Sequence, residues 1–226
     1  VYKRQPESNY RDKFIIGTGL NSLVDNINLI KIAKSNGFNK FLIMPPAYYK
    51  YSDHDVINFY SRIIDEIYEC KIILYNFEKL SGYKFSIDCV EELVKKFPSQ
   101  IVGVKDSSYN LYENLKIDNF SVMPGSESKL LKGLELGCSG IITATTNVTS
   151  ILARDVYDKF QNGSDQSSNE KLCLVRSIFD KFNLISGLHT FMAQIDHDYQ
   201  NLIPPLKLLN ENEKKIFFAE LQKLDF

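Results

Sequence analysis

The sequence predicts an α/β fold with parallel strands, read as a TIM (β/α)8 barrel that lacks its first two strand–helix units and carries extra C-terminal helices. Three observations lead there. Six short β-rich runs, at 14–18, 40–44, 71–75, 101–105, 120–123 and 140–143, begin 26, 31, 30, 19 and 20 residues apart, and each is followed by an amphipathic stretch. That spacing is the size of a strand-plus-helix unit, and strict alternation implies parallel strands joined by crossover helices. From about Ile151 onward the pattern is helical only, through Val156, Phe160, Leu172, Val175, Phe179 and Phe182. The third observation separates a barrel from an open doubly wound sheet. Polar, reactive residue types gather at the carboxyl ends of the runs, in Gly17-Thr18-Gly19, Tyr48-Tyr49, Tyr75-Asn76, Lys105-Asp106-Ser107, Gly125-Ser126 and Thr143-Ala144-Thr145. A barrel places its functional groups on that rim.

The segments between the runs carry their own boundary signals. Ser22 precedes Leu23, Ile27 and Ile30; Ser86 precedes Val90, Leu93 and Phe97; Ser126 precedes Leu130 and Leu134. Each is an expected N-cap, because a serine oxygen can accept one of the amides a helix start leaves unpaired. Asp53-His54-Asp55 is expected to cap a helix over 56–67, Gly37 and Gly137 fall where helices should stop, and a last helix is expected over 216–224 after Pro204-Pro205. The domain reading is residues 6–163 as a partial barrel and 164–226 as a helical extension. Residues 1–5, Val-Tyr-Lys-Arg-Gln, read as a translated sequencing adapter and are left out of fold reasoning, which makes the chain a fragment of a longer protein.

Composition excludes several classes. With 226 residues, 44% hydrophobic and 24% charged, the chain can bury a sizeable core. A formal net charge of -1 and the lack of a dominant basic run argue against nucleic acid or a membrane surface as partner. No apolar run approaches the roughly 20 residues of a membrane span, so a cytoplasmic protein acting on small molecules is expected. Cys70, Cys89, Cys138 and Cys173 lack metal-ligand spacing and read as reduced core residues. His54, His189 and His197 lie far apart, and a metal site is not expected. Gly17-x-Gly19 has Ser22 in place of a third glycine, and no acidic residue ends the next run, which argues against a dinucleotide cofactor.

Lys105 is the most informative residue. It closes the apolar run Ile101-Val102-Gly103-Val104, and desolvation there would favour the neutral amine that attacks a ketone to form an imine. Taken alone, a strand-end lysine that reaches out to solvent is the commoner case. Tyr75 ends the preceding run in Ile72-Ile73-Leu74 and would project onto the same rim, where a phenol can relay protons.

Together with the surrounding motifs, these residues resemble the dihydrodipicolinate synthase and N-acetylneuraminate lyase family, the class I pyruvate-dependent aldolases. The motifs are Gly17-Thr18-Gly19-Leu20-Asn21-Ser22, Pro46-Ala47-Tyr48-Tyr49-Lys50-Tyr51-Ser52, Leu74-Tyr75-Asn76, Gly103-Val104-Lys105-Asp106-Ser107-Ser108, Gly125-Ser126-Glu127 and Gly140-Ile141-Ile142-Thr143. The resemblance implies that Lys105 forms a Schiff base with pyruvate, that Tyr75 is the relay phenol, and that Tyr48 reaches a neighbouring subunit's site in a homo-oligomer. Ile142, Gly125, Glu127 and Leu80 fall at substrate-binding positions, and no metal or organic cofactor is implied. The family's glycine–hydroxyl–hydroxyl–Gly–Glu motif is absent from these 226 residues, so weak or no catalysis is expected of the chain itself. Leu80 stands where dihydrodipicolinate synthases usually have an arginine, a substitution that removes a bidentate carboxylate contact. The expected activity is therefore a 2-keto-3-deoxy sugar-acid or N-acetylneuraminate-type lyase acting on a 2-keto acid. Dihydrodipicolinate synthesis and a non-catalytic barrel paralogue are the alternatives.

Overall fold

A computed structural model describes residues 11–67 and 69–226. The expected adapter, residues 1–5, lies outside them. The chain forms two compact units, residues 1–123 and 124–226.

The first unit holds a parallel sheet in the order β1 (Ile16–Gly17), β2 (Lys40–Ile43), β3 (Lys71–Asn76), β4 (Ile101–Asp106), β5 (Ser121–Pro124), the last strand ending at the unit boundary. Strand order equals chain order, as in a barrel wall and unlike a doubly wound sheet, whose order reverses part-way. Helices α1 (Leu23–Ser35), α2 (Asp53–Glu66), the short α3 (Glu78–Ser81) and α4 (Ile87–Lys96) connect β1 through β4, whereas β4 runs on to β5 through residues 107–120 without a helix, a departure from the expected strict alternation. Phe41 and Ile43, Ile72 and Leu74, and Ile101 and Val104 are buried, and Tyr60 of α2 donates its hydroxyl to the Ile43 carbonyl at 2.7 Å beneath them. On the opposite face Leu42, Met44, Tyr75 and Lys105 are only half-buried.

The expected caps at Ser22 and Ser86 are present, their side chains accepting from Asp25 N and Cys89 N. The start of α2 differs from expectation. Ser52, not the Asp53-His54-Asp55 run, is the N-cap, and Asp55 returns a bond to its amide in a reciprocal capping box. Hydroxyl and carboxylate three residues apart satisfy two amides at once, leaving Asp53 free to accept from Tyr83 Oη at 2.7 Å. Gly37 follows α1 at φ 85°, a left-handed turn that a β-carbon would strain.

The pairing of β3 with β4 contains one irregularity. Ile72 lies opposite Ile101 but Ile73 lies opposite Gly103, so Val102 has no partner in β3. This bulge shifts everything beyond it by one residue and sets Tyr75 opposite Lys105 and Asn76 opposite Asp106. Gly103 sits directly after the bulge and close to β5: a β-carbon there would lie 2.6 Å from the Ser121 carbonyl oxygen.

In the second unit a 3-10 turn at Glu127–Lys129, capped by Ser126, leads into α5 (Leu130–Glu135). Helices α6 (Thr146–Gln161), α7 (Ser167–Phe179), α8 (Leu184–Met192) and α9 (Glu211–Gln222) follow. The last is longer at its start than the expected 216–224, because Asn210 and Glu213 form a second capping box. Phe179 and Phe217, at 5.0 Å between ring centroids, anchor a core with Val175, Ile178, Leu209 and Leu221. The sixth expected strand, 140–143, does not form. Ile142 N–H donates to the Pro124 carbonyl at 3.2 Å, but a single backbone bond is not the repeating ladder that makes a strand.

All four cysteines are free thiols, and burial pushes Cys70 and Cys89 up to about 11. Among the described residues no helix is long and apolar enough to cross a membrane, and no group of three or more His, Cys, Asp or Glu side chains could hold a metal ion.

Gly103→Ala should destabilise the protein by about 1–3 kcal/mol, the usual cost of an overpacked interior, because the Ser121 backbone would have to move. Urea unfolding of the variant measures this, and an unchanged midpoint would show that β5 is free to shift.

Candidate functional site

The register of β3 and β4 brings two reactive side chains onto one half-buried face. Lys105 Nζ lies 4.0 Å from the centroid of the Tyr75 ring, over its face. An aromatic face attracts a cation through its quadrupole, and the attraction applies to an ammonium and to a protonated imine alike. Burial raises Tyr75 above the ordinary phenol range, a hydrogen bond with the Ser107 side chain acts in the opposite direction, and Tyr109 adds to the rise. Tyr75 also stacks on Phe77, with 6.0 Å between ring centroids. The phenol therefore stays protonated at neutral pH and has a hydroxyl partner through which a proton can pass.

The next residue on each strand supports this pair. Asn76 and Asp106 are both fully buried, and Asn76 Nδ2 donates to Asp106 Oδ1 at 2.8 Å. Asp106 also accepts from the backbone amides of Tyr109, Leu111 and Tyr112, at 2.9, 2.9 and 3.0 Å. Asn76 Oδ1 accepts from Phe85 N, its Nδ2 donates to Asn110 Oδ1, and its carbonyl accepts from Ser107 N at 2.8 Å. The loop after β4 is thus tied to the strand ends from several directions.

Tyr48 follows β2 with φ 89° and is 89% exposed, its ring packed edge-on against Tyr49 at 5.0 Å. The turn that carries it is held by Asn21 Oδ1, which accepts from Ala47 N at 2.9 Å. Leu80, on α3, is 56% exposed.

The remaining expected positions lie in the second unit. Glu127 is fully buried. It accepts from Thr143 Oγ1 at 3.0 Å, Thr149 Oγ1 at 3.2 Å and Arg176 Nη1 at 2.8 Å. Burial works against the Arg176 charge, but Glu127, with help from Asp180, outweighs it and leaves the guanidinium above its usual range. The Glu127 carboxylate is engaged in joining α7 to the 140–145 segment. Gly125 and Ile142 are half-buried on either side of the Pro124–Ile142 backbone bond.

Sequence reasoning brought Lys105 and Tyr75 together and missed the groups that hold them. Asp106, Asn76 and Ser107 were visible beside the reactive pair as polar residues at strand ends. Nothing in the sequence pointed to Arg176, which pairs with Glu127 across 49 positions.

A parallel α/β protein with a lysine and a phenol matched across adjacent strand ends is the class these features define. The family model for the dihydrodipicolinate synthetase family matches residues 6–224, and the chain belongs to that family. An uncharacterized DapA-like lyase of Chloroflexus aurantiacus is 30% identical over 176 residues, covering 75% of this chain and 59% of that protein. The 2-dehydro-3-deoxy-D-gluconate/2-dehydro-3-deoxy-phosphogluconate aldolase of Picrophilus torridus is 27% identical over 164 residues, covering 70% of this chain and 60% of the relative. These alignments span less than two thirds of each relative's length. The crystal structure of dihydrodipicolinate synthase from Bacillus anthracis superposes with a TM-score of 0.84 at 22% identity, over 98% of this chain and 80% of that one, which shows a shared fold.

Replacing Arg176 with Met strands the buried Glu127 charge and should cost about 3–5 kcal/mol of stability by urea unfolding, while Glu127→Gln on the same background should recover part of it. A loss below about 1 kcal/mol would mean that other groups carry the Glu127 charge.

Proposed function

We propose that the chain belongs to a class I aldolase or lyase that makes or breaks a carbon–carbon bond between pyruvate and an aldehyde through an imine on Lys105. The observation that carries this reading is the Lys105 amine over the Tyr75 ring at 4.0 Å, on the half-buried face of a parallel sheet. The neutral amine attacks C2 of the keto acid, and proton transfers release its oxygen as water and leave an iminium. Loss of a proton from C3 gives an enamine whose C3 attacks the aldehyde carbon, and the new alkoxide takes a proton from the Tyr75 phenol. Cleavage runs the same steps backwards.

In this reading Tyr48, displayed on a strained and exposed turn, is offered to a second copy of the chain in a homo-oligomer. Ile142, Gly125 and Glu127 belong to the substrate side. Glu127 acts there through the 140–145 segment, since its own oxygens are occupied. Leu80 cannot grip a carboxylate, which favours a 2-keto-3-deoxy sugar acid over the dihydrodipicolinate reaction, and the aldolase name of the Picrophilus torridus relative agrees. Dihydrodipicolinate synthesis is the second reading, supported by the family match. In this reading the reaction needs no metal or organic cofactor and takes place in the cytoplasm. On the same reading, residues 6–163 correspond to part of a (β/α)8 barrel without its first two strand–helix units, the 140–143 segment standing in the place of a strand, and 164–226 to an extension. The paired-hydroxyl motif does not occur in the 226 residues, so imine formation should outpace turnover.

Borohydride reduction in the presence of pyruvate should add the reduced pyruvyl mass to the peptide containing Lys105. Folded protein that is unlabelled at Lys105 would overturn the proposal.

A further inference from the structure

The polar groups under the Lys105–Tyr75 pair leave one feature that imine chemistry does not itself require. Asp106 is fully buried, yet its two oxygens receive four N–H groups, from Asn76, Tyr109, Leu111 and Tyr112, and none of the four is a cation. Three of these donors are backbone amides of one loop. A buried carboxylate is costly unless its lone pairs are filled, and here the filling comes from bending residues 107–112 around it. The bend includes Tyr109 at φ 59°, a conformation that non-glycine residues adopt at a cost, and the Tyr109 amide is one of the donors. Ser107 lies between Asp106 and that strained residue, fixed by its amide to the Asn76 carbonyl and engaged by its side chain with the Tyr75 phenol.

We propose that Asp106 is a positioning residue: its carboxylate gathers the loop after β4 and thereby holds the Ser107 hydroxyl against the Tyr75 phenol. The role rests on the aldolase reading for its consequence in catalysis, but the geometry it asserts can be tested without pyruvate. Asp106→Asn keeps the size of the side chain and turns one acceptor into a donor, so at least one loop amide loses its partner. The loop then loosens, and Ser107 leaves the phenol.

The experiment follows the ring carbon bearing the hydroxyl in protein labelled with 13C-tyrosine, with the Tyr75 resonance assigned by its loss in Tyr75→Phe. Because the Ser107 bond holds the Tyr75 titration down, Asp106→Asn should move its midpoint to higher pH, and Ser107→Ala, which leaves the buried network intact, should move it in the same direction. The exchanged pair Asn76→Asp with Asp106→Asn restores a cross-strand bond but not the three-amide clamp, and should stay shifted. Pyruvate trapping at Lys105 should slow roughly tenfold to a hundredfold in Asp106→Asn, in line with the cost of a misplaced reacting group. An unmoved Tyr75 midpoint in Ser107→Ala, or recovery of the wild-type midpoint in the exchanged pair, overturns the proposal. Normal trapping in Asp106→Asn also overturns it, whereas no trapping in the wild-type protein counts against the aldolase reading and leaves the titration as the deciding result.

Discussion

The arrangement of the site depends on a single unpaired residue in β4. From Ile72 opposite Ile101, an unbroken ladder would set Tyr75 opposite Val104, with Lys105 one place further on. Side chains alternate between the faces of a sheet, so a one-residue offset would put the lysine and the phenol on different faces. The bulge at Val102 removes that conflict. It lets Ile101 and Val104 both be buried while Tyr75 and Lys105 share the half-buried face. Gly103 follows from the same geometry, because the strand runs too close to Ser121 there for any side chain.

With the register set, the residues beyond it fall into place. Asn76 and Asp106, one step past the reactive pair, meet in the interior and bind the following loop through its amides. Rigidity is thus supplied from beneath the site by buried hydrogen bonds. The second unit shows a related solution. Glu127 and Arg176 form a buried pair in which the carboxylate also accepts from Thr143 and Thr149 and Arg176 Nε donates to Asp180, so the segment carrying Ile142 is held by side chains where no strand forms.

Much of the first unit was legible in the sequence. The apolar runs at 40–44, 71–75 and 101–105 mark strands because each is short, rich in residues that favour strands and separated from the next by a helix-length stretch, and Ser22 and Ser86 mark helix starts through local chemistry alone. Where several local signals compete, the reading failed. Ser52 displaced Asp53 as the cap of α2, and the apolar segment 140–143 lacked the neighbouring ladder that would have made it a strand. The Lys105–Tyr75 pairing was anticipated from strand ends, but the bulge that produces it leaves no mark on composition or periodicity. The partners of Glu127 were beyond reach for a different reason, since long-range ion pairs depend on packing that local pattern does not encode.

Whether the matched lysine and phenol form a pyruvate-imine site is tested most directly by the 13C spectrum of pyruvate labelled at C2 in the presence of the protein. The account predicts that part of the ketone resonance moves to an imine position, and that this new resonance vanishes in Lys105→Ala. A labelled carbon that remains entirely ketone and hydrate with the folded wild-type protein, or an imine resonance that survives the loss of Lys105, would contradict it.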